Sequence, residues 1–132
     1  MFDFDGDHRV DRLFQQAARH GVRIVFSHPC LELWWLLHFQ AVTATLDPET
    51  IKLKLGRQSE AFRGLSKNKR LTPQRWEALR GLYPIACRHA DRLISHCGCA
   101  CEPPRHGDDC PPSKRSPSCN LAELVGSFAI TY

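Results

Sequence analysis

Within its first eleven residues, Met1-Phe-Asp-Phe-Asp-Gly-Asp-His-Arg-Val-Asp11, the chain alternates aromatic rings with acids and then breaks at a glycine. In an extended strand Phe2 and Phe4 fall on one side and Asp3 and Asp5 on the other, so the segment needs a core for its rings and relief for its acids. Asp3, Asp5, Asp7 and Asp11 crowd into nine positions and repel one another unless a cation, a proton or solvent intervenes. A divalent metal is one reading; a solvated acidic turn is the other. Downstream, Val10, Leu13, Phe14, Ala17 and Ala18 recur with helical spacing, which predicts a helix from about 9 to 20 ended by Gly21. Val22 to Phe26 is a short β-branched run closed by Ser27, His28 and Pro29. Strand, acidic turn, helix and strand make a βαβ unit. In such units ligands gather at the carboxyl ends of the strands, where Asp3 to Asp7 and Ser27 to Cys30 lie.

The rest of the chain reads as mostly helical. Leu31 to Gln40 is apolar nearly all round, apart from Glu32 and His38, and predicts a buried helix with Pro29 near its start. Asp47-Pro48-Glu49 opens a helix through Ile51, Leu53 and Leu55 that is expected to stop at Gly56. Residues 57 to 71 form a basic connection without clear periodicity. Thr72-Pro73 starts another helix carrying Trp76 and Leu79, and an apolar stripe from Ile85 to Ile94 predicts one more after Pro84. Residues 95 to 119 hold five Cys and five Pro without periodicity, which predicts a loop or disordered insertion. Asn120 and Glu123 have capping-box spacing before a terminal helix.

A length of 132 residues with 42% apolar content suits a single domain spanning 1–132. The net charge of +4 permits contact with nucleic acid without indicating it. No apolar run is long enough to span a membrane, and the acidic start lacks a signal-peptide layout, so the expected location is the cytoplasm. Seven cysteines disfavour a regular disulfide framework. A strand that begins at Met1 with its acids in place also suggests an N-terminal strand missing from this chain.

Three types of site use Asp-x-Asp. A calcium hand starting at Asp3 fails at His8, where Gly is required, and at Phe14, where Glu is required. A phosphatase loop fits Asp3-Phe4-Asp5-Gly6 locally, but its later acidic pair would have to be Asp108-Asp109, inside the Cys- and Pro-rich stretch. The third is the TOPRIM type, with magnesium held by an Asp-x-Asp at a strand end. Phe2-Asp-Phe-Asp5, Val25-Phe-Ser-His-Pro-Cys-Leu-Glu-Leu-Trp-Trp-Leu-Leu-His-Phe39 and Ser116-Pro-Ser-Cys-Asn-Leu-Ala-Glu-Leu-Val125 together resemble the RloB-like family, which also includes the AbiLii abortive-infection proteins. Departures from its pattern are His28 for Asn, Leu31 for Phe, Ser116 for Asn and Cys119 for Thr, together with the absent earlier strand and its Glu.

The resemblance implies an α/β, Rossmann-like or TOPRIM-like domain with a short parallel sheet flanked by helices. It implies a phage-defence or restriction-associated protein and a magnesium- or manganese-dependent nuclease acting on phosphodiester bonds, impaired if the missing Glu is essential. Asp3 and Asp5 carry over as catalytic metal ligands and Asp7 as a third acid; Glu32 and His38 carry over as signature residues and candidate catalytic groups. The alternative is a catalytically degenerate module that binds nucleic acid or a partner protein encoded in the same defence operon. Arg57, Lys67, Lys69 and Arg70 are the candidate nucleic-acid contacts, against a merely solvated basic face. Cys97, Cys99, Cys101, Cys110 and Cys119, with His96 and His106, supply soft ligands for zinc, but Cys-x-Cys-x-Cys is not the usual zinc knuckle, so an unstructured, redox-exposed insertion is the expectation.

Overall fold

The computed structural model describes residues 2–3, 9–103, 106–107 and 110–128. The chain is mixed α/β, rich in helix, with one small sheet of strand order β1-β2-β3. Strand β1 is Phe2–Asp3, helix α1 is Arg9–Arg19 and strand β2 is Phe26–His28. These two strands run parallel, pairing Phe2 with Phe26 and Asp3 with Ser27. Strand β3, Ser118–Cys119, lies antiparallel to β2, with Ser27 opposite Cys119 and His28 opposite Ser118. The expected β-α-β order is present. The parallel pairing, however, covers only two residue pairs, and the third strand comes from the stretch expected to be loop.

Strand β2 is also shifted toward its carboxyl end relative to the β-branched run. Val22 is 58% exposed and outside the sheet, while Phe26 and Ser27 are buried. The reason is a long-range clamp: Asn120 Oδ1 accepts from the Phe26 N–H at 2.9 Å, and Asn120 Nδ2 donates to the Ile24 carbonyl at 3.0 Å. Asn120 is therefore not the side-chain cap that its spacing from Glu123 suggested; no cap hydrogen bond forms at the start of helix α6, Leu121–Ser127. Asn120→Ala should cost about 1–3 kcal/mol, because a backbone donor and acceptor lose their partner in a part-buried setting. Urea unfolding of the variant beside wild type measures this, and an unchanged midpoint would show that water replaces the clamp.

Helix α2, Glu32–Leu37, is buried over its whole length, as its composition requires. It packs on helix α3, Pro48–Gln58, and helix α5, Tyr83–Arg92. Leu33, Leu36 and Leu37 meet Ile51 and Leu55 of α3, Leu79 of helix α4 (Pro73–Leu79), and Ala86 of α5 in one core. Trp35 and Phe39 stack around Phe62 at ring separations of 5.8 and 5.9 Å. His89 of α5 donates from Nδ1 to the Leu37 carbonyl at 2.7 Å, satisfying an acceptor at the C-terminus of α2.

Local start signals hold: Asp47 accepts from the Thr50 N–H at 3.0 Å and Thr72 from the Arg75 N–H at 3.3 Å. The expected stop at Gly56 does not. Helix α3 continues to Gln58, since a glycine away from a left-handed turn weakens a helix without ending it. Helix α1 is likewise less buried than its stripe implied. Val10 packs on Phe26, with Phe14 edge-on to the same ring at 5.1 Å, but Leu13 is 46% exposed. Strands of two and three residues offer α1 only a narrow floor.

Candidate functional site

Strand β2 lies centrally and brings together segments from three parts of the chain. The backbone of Asp3 pairs with Ser27, and His28 pairs with Ser118, so the amino-terminal acid strand, the Ser-His-Pro turn and the Ser-Pro-Ser-Cys segment meet at one place. Asp5 and Asp7 lie outside the described residues. Ser27 is buried, and its Oγ donates to the Cys30 carbonyl at 2.7 Å, shaping the turn into α2. His28 donates from Nδ1 to the Arg115 carbonyl at 2.9 Å, and burial holds its pKa below the ordinary value. Asp11, the last acid of the cluster, is engaged elsewhere: its carboxylate accepts from the Ser113 N–H at 2.7 Å and from Ser113 Oγ at 2.5 Å.

Glu32 and His38 are both buried, at opposite ends of α2. Six residues of helix separate them by about 9 Å along the axis and about a third of a turn around it, so one reacting group cannot touch both. Glu32 lies beside Cys30, whose thiol is pushed up to about 12 by burial first and by the Glu32 carboxylate second. Cys30 is thus an unreactive, protonated thiol. His38 donates from Nδ1 to the Trp34 carbonyl at 2.9 Å and sits edge-on to the Trp34 ring at 4.9 Å. This is the geometry of a hydrogen-bonded core histidine.

The four basic candidates, Arg57, Lys67, Lys69 and Arg70, are all exposed. Arg57 is in the last turn of α3, and the others occupy the loop before α4. Arg75, in the first turn of α4 just beyond that loop, is only 4% exposed and turns inward. Its Nε donates to the Ala61 carbonyl at 2.9 Å, and its Nη1 donates to the Asn68 and Arg70 carbonyls at 2.5 and 2.6 Å. The loop that carries Lys67, Lys69 and Arg70 is thus tied to a buried arginine, whereas Arg57 stands on α3.

The described residues of the Cys- and Pro-rich stretch are largely loop, one of the two forms its composition suggested, but the loop packs around its thiols. Cys97, Cys101 and Cys110 are buried against Ile94. With His106 they place four potential ligand atoms within 4.8 Å of one another, a set that could hold a metal ion. Cys97 Sγ lies 3.6 Å from Cys110 Sγ, which in turn lies 3.7 Å from His106 Nδ1. The spacing that converges is not the Cys-x-Cys-x-Cys run: the exposed Cys99 is skipped, and two pairs four residues apart, Cys97 with Cys101 and His106 with Cys110, come together. The readable signal was Cys-x3-Cys followed by His-x3-Cys. Next to this loop, a cleft of about 420 Å³ opens between the sheet and the chain following α5, lined by Phe26, Ile94, His106, Arg115 and Ser118 among others.

No helix among the described residues is long and apolar enough to cross a membrane. A family model of RloB-like proteins matches residues 1–127, nearly the whole chain. The chain belongs to the RloB-like protein family. Comparison with curated proteins and with solved structures returned no significant match.

Proposed function

We propose that this chain is a phage-defence or restriction-associated protein that uses its acidic strand end for magnesium-dependent phosphodiester cleavage, with β1, α1 and β2 as the metal-binding part of a TOPRIM-type domain. The observation that carries the reading is the position of Asp3. It ends a strand paired in parallel with β2, at the point where the Ser27-His28-Pro29 and Ser116-Pro117-Ser118-Cys119 segments of the family resemblance adjoin. Asp3 and Asp5 would be the metal ligands and Asp7 a third acid, a donor set of hard oxygens that suits magnesium or manganese. Magnesium bound there would polarise a phosphate and supply a more acidic water. The exposed Arg57, Lys67, Lys69 and Arg70 would attract the phosphodiester backbone without reading its bases.

A second reading, a non-catalytic module that binds nucleic acid or a partner protein, is favoured by one observation. Glu32 and His38, the two polar residues of the α2 signature, are buried, and His38 is hydrogen-bonded within its own helix. Their role in that case is to specify the core.

Manganese titration followed by water-proton relaxation separates the two. The wild-type chain should bind manganese, and the Asp3→Asn, Asp5→Asn double variant should bind at least about tenfold more weakly. Cleavage of DNA or RNA by the wild-type chain in magnesium, lost in the double variant, would support the nuclease. Equal or absent manganese binding in both would overturn the catalytic reading and leave the binding module.

A further inference from the structure

We propose that Cys97, Cys101, His106 and Cys110 form a structural zinc site that fastens the Cys-rich loop against the sheet. This site is independent of the nuclease reading, because it uses different residues and a different cation. Three thiols and an imidazole are borderline-soft donors, which select zinc over magnesium. Four protein ligands with no open position define a structural rather than a catalytic centre.

The distances fit. With zinc–sulfur bonds of about 2.3 Å and zinc–nitrogen bonds of about 2.0–2.1 Å, a tetrahedron has edges of about 3.8 Å between sulfurs and about 3.6 Å between sulfur and nitrogen. Cys97 to Cys110 measures 3.6 Å and Cys110 to His106 3.7 Å. No pair exceeds 4.8 Å, so the widest edge needs to close by about 1 Å. The thiols are free, not joined in disulfides.

The backbone is bent to bring these ligands together. Cys97 follows a 3-10 turn, Leu93–His96, and its N–H bonds the Ile94 carbonyl at 3.1 Å. Ala100 then takes φ +53°, a left-handed conformation that non-glycine residues rarely adopt, and its N–H bonds the Cys97 carbonyl at 3.0 Å. That reversal returns Cys101 to Cys97. On the other side the Cys110 N–H bonds the Gly107 carbonyl at 2.9 Å, which turns Cys110 back toward His106. Arg115 stands in the outer shell, with Nε donating to the Cys110 carbonyl at 3.1 Å. Three thiolates and a neutral imidazole around zinc leave one formal negative charge, and a guanidinium beside it offsets that charge.

The consequence reaches the strand end. The loop that carries Cys110 bonds α1 through Ser113 and Asp11, and bonds β2 through the Arg115 carbonyl and His28. Gly98 N–H also bonds the Ser116 carbonyl at 3.2 Å, next to β3. Zinc would thus hold the segment that frames His28 and delivers β3 to the sheet.

The test uses the whole chain, expressed with zinc and purified under reducing conditions without chelator. Elemental analysis should find about one zinc per chain. Cobalt added to the metal-free chain should give the intense visible bands of a tetrahedral thiolate site. Cys97→Ser and Cys110→Ser should lose most of the metal, whereas Cys99→Ser, altering the neighbouring exposed thiol, should keep it. The wild-type cobalt spectrum stands even if the ligand variants fail to fold. Wild type holding less than about one-fifth of an equivalent of zinc and giving no such cobalt bands would overturn the site, as would a Cys99→Ser chain that loses metal as fully as Cys110→Ser.

Discussion

Acidification from pH 6.5 to 4 is expected to remove about 3 kcal/mol of stability through His38 alone. His38 is 1% exposed, and burial lowers its pKa from 6.5 to about 4, despite the opposing pull of the Trp34 and Trp35 carbonyls. The imidazole is neutral in the native state with its proton on Nδ1, as the bond to the Trp34 carbonyl requires. Above pH 6.5 neither the native nor the unfolded chain protonates this ring, and the stability is present in full. Between 6.5 and 4 the unfolded chain binds a proton that the native core refuses, and stability falls by up to about 1.4 kcal/mol per pH unit. Below 4 both states are protonated and the loss levels off. His38→Asn keeps an N–H donor but cannot titrate. Urea midpoints measured from pH 7 to 4 should therefore fall less steeply in the variant than in wild type, the carboxylates contributing equally to both. Parallel curves would mean that His38 is not a neutral core residue.

His38 also shows where sequence reading reaches and where it stops. The burial of α2 was legible because Leu33 to Leu37 offer no polar face, and any fold must enclose such a helix. The caps at Asp47 and Thr72 were legible because each bond closes within three residues. The limits of β2 were not, since they are decided by Asp3 on one side and by Cys119 and Asn120 on the other, more than ninety positions downstream. The same distance effect hid the convergence of Cys97, Cys101, His106 and Cys110: composition marked the region as unstructured, yet a few turns bury three thiols together. At the strand end, the expected position of Asp3 beside the turn into α2 is seen, while the expectations for Asp5 and Asp7 fall outside the described residues.

Arg75 presents the opposite case, a charge close after the basic connection that the fold uses inside. Arg75→Ala is expected to destabilise the chain by about 3 kcal/mol. Two effects compete. Burying a guanidinium carries a desolvation cost, so its removal gives something back. Against that, three hydrogen bonds from a charged donor are lost, each contributing about 1.5–3 kcal/mol, and the carbonyls of Ala61, Asn68 and Arg70 lose their common partner. The guanidinium also lies 5.9 Å from the Phe62 ring centre, and Phe62 is itself 1% exposed in the core. Because the loop can re-solvate its carbonyls by moving outward, the net loss stays near the value of one or two bonds. Arg75→Met keeps an unbranched apolar stem and isolates the hydrogen bonds; Arg75→Lys, a point donor without the planar fork, should recover less than half of the loss. The loop from Gly64 to Leu71 should become the first site of tryptic cleavage in Arg75→Ala, at Lys67, Lys69 or Arg70, since those exposed cations would lose the backbone geometry that shields them. If Arg75→Ala unfolds at the wild-type urea midpoint and the loop resists trypsin as before, the buried arginine is not what orders the basic face. If the loop is cut early while the core unfolds nearly as in wild type, the arginine acts on that face alone, and its loss should weaken any phosphate-backbone affinity through disorder rather than through charge.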